Sequence, residues 1–190
     1  MKVALALWIA SLSVATAQQP PASPCEFDGF DMNSKLAEMI KSGDPFVVTR
    51  GEGDWTCGYL DGRKGSAQRW VRSKDIRSVP LDPNPPLAAW VGTWVQGDNR
   101  IRIQNSKTDG KLEVEGEAYW HGFGDNVHEG QFSAHAKPSG NHLHVEDDLC
   151  HVDLALWGKY LLLNDNNMCG GMNVRFWSVW RRVRFESPLK

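Results

Sequence analysis

From about residue 87 to near the C-terminus, the chain repeats one device: short segments of alternating apolar and polar residues, cut by turn-forming residues. Arg100-Ile101-Arg102-Ile103-Gln104 and Lys111-Leu112-Glu113-Val114-Glu115 carry aliphatic side chains at every second position. That is the period at which a strand shows one face to a core and the other to water. Asp109-Gly110 between them is a strong hairpin signal. Gln131 to Ala136 and Asn141 to Glu146 repeat the scheme across Pro138-Ser139-Gly140, and Cys150 to Trp157 and Lys159 to Leu163 flank Gly158. A last strand is expected over 173–183, with Val174, Phe176 and Arg182 on one face. About eight short strands joined by short connections predict a closed or nearly closed, up-and-down antiparallel barrel.

The preceding stretch is built differently. Segments 46–49, 55–60 and 69–71 read as short strands separated by Gly-rich turns at 51–54 and 61–62, with a further turn at 73–77. The spacing of Leu36, Met39 and Ile40 predicts a short helix or turn over 33–41, stopped by Gly43-Asp44-Pro45. Pro80, Pro83, Pro85 and Pro86 fall within seven positions, a density no sheet interior accepts. The chain therefore divides into a small β module at 25–80, a linker at 81–86 and the barrel at 87–184. The fold class expected is all-β.

The N-terminus bounds where such a chain works. A lysine, an apolar run from Val3 to Val14 and the ending Ala15-Thr16-Ala17 have the parts of a secretory signal over residues 1–17. The run is shorter than a membrane span requires. Residues 18–24 are a Pro-rich tether expected to be extended and mobile, and Cys25 lacks the small-residue approach of a lipid-modified cysteine, so no membrane anchor is expected. Four cysteines, Cys25, Cys57, Cys150 and Cys169, form an even set in an exported chain and read as two disulfides. Local pairing within each part is the economical choice, and no spacing fits a zinc finger. The expected location is periplasmic or secreted. A formal net charge of −2 gives no support to nucleic-acid binding.

Two phrases carry family resemblances. Val47-Val48-Thr49-Arg50, Gly53-Asp54-Trp55-Thr56-Cys57, Arg69-Trp70-Val71 and Asp75-Ile76-Arg77 together resemble a bacterial SH3-like domain, although Arg69 stands where glycine is usual. Gly92-Thr93-Trp94 on the first barrel strand, with Arg182 on the last, is similar to the Gly-x-Trp and late Arg of lipocalin-like (calycin) barrels. That resemblance implies an arginine packed over the tryptophan to close the barrel floor. The segment from Cys169 to Phe176, ending in Trp180-Arg181-Arg182, looks like the tails of small secreted bacterial proteins. Some of those are associated with lysozyme-inhibitor-like domains, and this association implies an inhibitor role.

Nine tryptophans require a core or a binding surface. Trp94, Trp120, Phe132 and Phe176 are expected inside the barrel. Trp157 and Trp177 take the outward parity, and with Arg175 and Trp180 they form the expected partner-binding set, aromatic and arginine side chains being favoured at interface hot spots. The competing reading is that these residues cover a seam against the first module. His142, His144 and Glu146 alternate on one strand, with His135 nearby. Such a set has the chemistry of a metal site, but the outer polar face of the strand is the reading preferred, and neither metal nor cofactor is expected. Asp147, Asp148 and Asp153 raise the question of acid–base catalysis on wall glycan. Without a nucleophile motif, the function expected is a non-catalytic exported binding protein for a protein or cell-wall component, an inhibitor of a wall-degrading enzyme being the role implied by the resemblance. The alternatives are a glycan hydrolase and a carrier of a small apolar ligand.

Overall fold

A computed structural model of the protein describes residues 19–26, 35–62, 65–108 and 110–183. The leader expected over 1–17 and Asp109 of the hairpin signal lie outside these residues. The fold is all-β, with two antiparallel sheets and a single short helix among the described residues.

The first sheet contains β1 (Lys35–Met39), β2 (Pro45–Glu52), β3 (Trp55–Gly62), β4 (Gly65–Arg72) and β5 (Ile76–Ser78), in the order β4-β3-β2-β1-β5. The helix or turn expected around Leu36, Met39 and Ile40 is instead strand β1. Its backbone pairs on one side with β2 (Leu36 opposite Val47) and on the other with β5 (Glu38 opposite Arg77). Two ladders outweigh a weak local helical spacing, because propensity over so short a segment is only a prior. Leu36 and Ala37 are buried, whereas Ile40 is exposed.

Cys25 is bonded to Cys57 on β3, and the end of the Pro-rich segment is held to this sheet. The Trp70 ring N–H donates to the Ser23 carbonyl at 2.9 Å, and the Arg50 guanidinium donates to the Pro24 carbonyl at 2.7 Å. The part of the tether next to Cys25 is therefore docked.

After the proline-rich stretch, α1 (Leu87–Trp90) is a single turn leading into β6 (Gly92–Gln96), β7 (Asn99–Asn105), β8 (Leu112–His121) and β9 (Val127–Ala136). The second half of the barrel is β10 (His142–Asp147), β11 (Cys150–Trp157), β12 (Tyr160–Asp165) and β13 (Ser178–Arg182). The order is β10-β11-β12-β13-β6-β7-β8-β9. First and last strands meet through Trp94 opposite Arg182. The one place without a continuous ladder is between β9 and β10, so the barrel is nearly closed and its opening lies mid-chain.

Alternation places the expected residues inside. Ile101, Ile103, Leu112, Val114, Leu143, Val145, Val152 and Leu154 are buried with Trp94 and Phe132. Trp90, Phe176 and Trp180 complete this core, and Trp120 is half-buried against it. The first strand, expected over 90–95, begins at Gly92 because Trp90 belongs to α1, and the last strand is shorter than expected. β13 begins at Ser178, and Val174 and Phe176 enter the core from the irregular segment before it. The Arg182 guanidinium lies 4.5 Å over the Trp94 ring and donates to the Ala89 carbonyl. Gly92 sits beside the Arg182 side chain at φ +150°, a backbone conformation that L side chains rarely adopt, so glycine suits this position. Burial lowers the Arg182 pKa from the usual arginine value.

Candidate functional site

The four residues expected to bind a partner are distributed by the fold over three environments. Trp157 does point out of the barrel, but it is 2% exposed. It packs in a cluster with Ala155, Tyr160, Leu162 and Val179 from the barrel and Leu36, Val47 and Tyr59 from the first sheet. Trp177 lies at the edge of this cluster, its ring 6.0 Å from Tyr59 in a T-shaped contact. Trp180 is fully buried inside the barrel, its ring N–H donating to the Phe176 carbonyl. Arg175 is exposed and donates to the Val174 carbonyl. The structure does not bring these four side chains to one free surface; Trp157 and Trp177 occupy the seam between the sheets.

Two ion pairs flank that seam. Asp61, buried at the end of β3, accepts from Arg181 on β13. Glu38 on β1 pairs with Lys159 at 3.4 Å and with Arg77 at 3.1 Å. The Arg77 hydrogen bond holds the Glu38 carboxyl below the usual range, with Lys159 adding to the effect and burial opposing it.

The open surface lies elsewhere, where the barrel fails to close. The segment between β12 and β13 crosses from its own strands to β9 and is tied down at several points. Cys169 is bonded to Cys150. Gly170 bridges to Gly130 of β9, and the Gly171 amide donates to the Glu129 carbonyl at 3.0 Å. The two glycines are required by this approach, because a Cβ on Gly170 would stand 2.4 Å from the Gly130 Cα. The return of the segment is held by Asp165, whose carboxylate accepts the amides of Phe176, Trp177 and Asn167 at 3.1–3.2 Å. Burial pushes this carboxyl above the usual aspartate range against those three hydrogen bonds.

The result is an outward cleft of about 510 Å³ lined by Glu117, Tyr119, Glu129, Asp147, Asp148, Leu149 and Met168, among others, and, among the described residues, by no lysine, arginine or histidine. Cross-strand register places Tyr119 opposite Glu129 and Glu117 opposite Gln131. Asp147 spans the unclosed gap, accepting the Ser133 amide at 2.8 Å in place of a backbone partner. Leu149 is 62% exposed and Met168 56%, and Phe123 and Met172 are also exposed. The alternation pattern did not disclose this cleft. Its lining comes from strand ends and a disulfide-bonded loop, and the only signal in the sequence is the pair Asp147-Asp148 followed by an apolar Leu149 at a hairpin tip.

The histidines fall into separate places. His128 contacts the Met172 carbonyl and stacks on Trp120 with ring centroids 5.1 Å apart. His144 and Glu146 on β10 stand opposite Asp153 and His151 on β11. His144 bonds Asp153 through Nδ1 at 2.6 Å and Glu146 through Nε2 at 3.0 Å. The Asp153 hydrogen bond holds the His144 imidazole above the usual histidine value, burial opposing it and Glu146 adding to it. Neither His135 nor His142 belongs to this group of four.

No protein-family model matches the chain, and no match was found among curated proteins or solved structures. Its two disulfides point to an oxidising environment outside the cytoplasm. Among the described residues, no helix is long and apolar enough to cross a membrane.

Proposed function

We propose that the protein is an exported, non-catalytic binding protein that engages a cationic protein surface through the cleft at the barrel opening, a basic wall-degrading enzyme being the target class. The observation that carries this reading is the composition of the cleft: four carboxylates and, among the described residues, no cation in the lining, together with exposed Tyr119, Leu149 and Met168. Complementary charge steers association and selects partners, and water-excluding apolar contacts hold the complex. The resemblance of the tail to proteins associated with lysozyme-inhibitor-like domains supports the same target class. Arg182 stacked on Trp94 supports reading the second part as a short lipocalin-like barrel, and the first sheet is read as its SH3-like companion. A barrel core occupied by Trp90, Trp94, Phe132, Phe176 and Trp180 argues against a carrier of apolar ligands.

The test is binding of the purified, disulfide-bonded protein to cationic lysozymes on a biosensor, with inhibition of wall lysis measured alongside. The double variant Glu117→Lys/Asp148→Lys is expected to weaken binding at least about tenfold, since like charges then face each other. Added salt should weaken the wild-type complex as well. Absence of binding across the set, or binding indifferent to charge reversal, sinks the proposal.

A second reading is favoured by one specific observation, the gathering of carboxylates in a cleft, which is what a glycan hydrolase requires. All the cleft carboxylates are at least partly exposed on the outside of the barrel, which favours the binding role. Release of reducing sugar from purified wall by the wild type, lost in Glu117→Gln or Glu129→Gln, would establish the hydrolase in its place.

A further inference from the structure

A different part of the barrel carries a chemistry that the binding role does not use. β10 and β11 are adjacent antiparallel strands, and their register sets His144 directly opposite Asp153 and Glu146 directly opposite His151. Residues two apart on a strand share a face, so the four form a block on the outer surface. The residues between them, Val145 and Val152, are buried on the other side. The block is positioned by the β10–β11 backbone pairing rather than by a loop.

Within it, His144, Glu146 and His151 each offer one ligand atom, all within 4.8 Å of one another. The Glu146 carboxylate oxygen is 3.0 Å from His144 Nε2 and 3.7 Å from His151 Nδ1. Donor atoms around a tetrahedral zinc ion with bonds near 2.0–2.1 Å lie about 3.3 Å apart, and the two separations from the Glu146 carboxylate oxygen bracket that value. The second observation is Asp153. Its oxygen is 2.6 Å from His144 Nδ1, the ring nitrogen turned away from that position. A metal-binding imidazole usually donates its other ring N–H to a carboxylate, which fixes the tautomer and aims the free nitrogen at the ion. The residue types suit an ion of intermediate softness, since two imidazoles and one carboxylate favour zinc-like divalent ions over calcium or magnesium.

We propose that His144, Glu146 and His151 form a three-ligand site for a divalent transition ion of the zinc class, with Asp153 as the positioning residue behind His144. The fourth coordination position faces solvent, where the ligand side chains are 44–65% exposed. It is therefore open to water or to a donor from outside the chain. Ion-pair chemistry alone would also bring His144 between Glu146 and Asp153, so the test separates a metal site from a proton-bridged cluster.

The experiment is calorimetric titration of Zn²⁺ into the purified, disulfide-bonded protein carrying no affinity tag, with Co²⁺ absorption as a spectroscopic second reading. Saturable binding of one ion per chain is expected, with ligand-field bands of low coordination for Co²⁺. His144→Ala and His151→Ala should each weaken binding at least about tenfold and abolish those bands. Asp153→Asn should weaken binding about 10- to 100-fold while leaving the stoichiometry at one. His142→Ala, on the same strand but outside the group, should bind as the wild type does. All four substitutions are at the surface, and circular dichroism should show unchanged folds. Failure to saturate, or binding that survives both His144→Ala and His151→Ala, overturns the proposal.

Discussion

The outer face of β11–β12 and the end of the barrel around Leu149 both present apolar side chains outside the barrel core, but they are treated differently by the rest of the molecule. On the first, Ala155, Trp157, Tyr160 and Leu162 are covered by Leu36, Val47 and Tyr59, with Arg181–Asp61 and Lys159–Glu38 at the edges. On the second, Tyr119, Leu149 and Met168 remain exposed among carboxylates. A covered apolar patch stabilises an intramolecular seam; an open one rimmed by polar groups is the kind of surface that marks interaction sites. The tryptophans therefore record how the two sheets dock, while the less conspicuous leucine and methionine stand where a partner has access.

That contrast breaks first at Trp157. Trp157→Ala should lose about 3–5 kcal/mol in urea unfolding, the cost of a large buried cavity, and fluorescence and circular dichroism transitions should cease to coincide as the seam loosens. A loss under about 1 kcal/mol would mean that the seam contributes little. The double change Cys150→Ser/Cys169→Ser opens a loop of sequence separation 19 and should cost about 3 kcal/mol by loop entropy. It should also free the segment that lines the cleft, seen as faster amide exchange at Gly170 and Gly171. Asp165→Ala leaves three amides without their acceptor and should cost about 2–3 kcal/mol. Asp165→Asn keeps an acceptor oxygen and should cost less; equal losses for the two would show that charge rather than hydrogen bonding holds the segment.

Smaller effects sharpen the comparison. Glu38 has a depressed folded pKa, so its contribution is present above the unfolded carboxyl pKa and is lost as pH falls through the folded value. Its partners are mostly exposed, which limits the effect to below about 1 kcal/mol. The stability gap between wild type and Glu38→Gln should therefore close on acidification below the ordinary carboxyl range; a gap that widens there contradicts the assignment. The smallest effect belongs to the open patch. Leu149→Ala should change stability by no more than about 0.5 kcal/mol, and a loss as large as that of Trp157→Ala would show that the patch is structural.

Much of the barrel was legible because alternation is a local property. Ile101, Ile103, Leu112, Val114, Leu143 and Val145 face inward as their spacing requires, and both disulfides join the cysteines nearest in sequence within each part. The Arg182–Trp94 contact also followed from the resemblance. By contrast, the spacing of Leu36, Met39 and Ile40 suits a helix better than a strand, and only pairing with β2 and β5 makes Lys35–Met39 the strand β1. The seam had a signal that alternation obscured. Leu154-Ala155-Leu156-Trp157 and Tyr160-Leu161-Leu162-Leu163 are apolar without interruption, which is how a strand buried on both faces reads.

The candidate sites were less legible still. Asp153 and His151 join His144 and Glu146 only through the β10–β11 register, and a one-residue slip would send them to the opposite face. The cleft needs Glu117, Asp148 and Met168, remote in sequence, to meet at a gap in the ladder. The sequence by itself determined the β class, the inward residues of most strands and the cysteines available for bonding, because these depend on periods and turns within a few residues. The tertiary structure alone decided which apolar face is covered and which carboxylates and imidazoles converge. Those outcomes depend on strand register and on the docking of one sheet against another, and neither is written in any local stretch of chain.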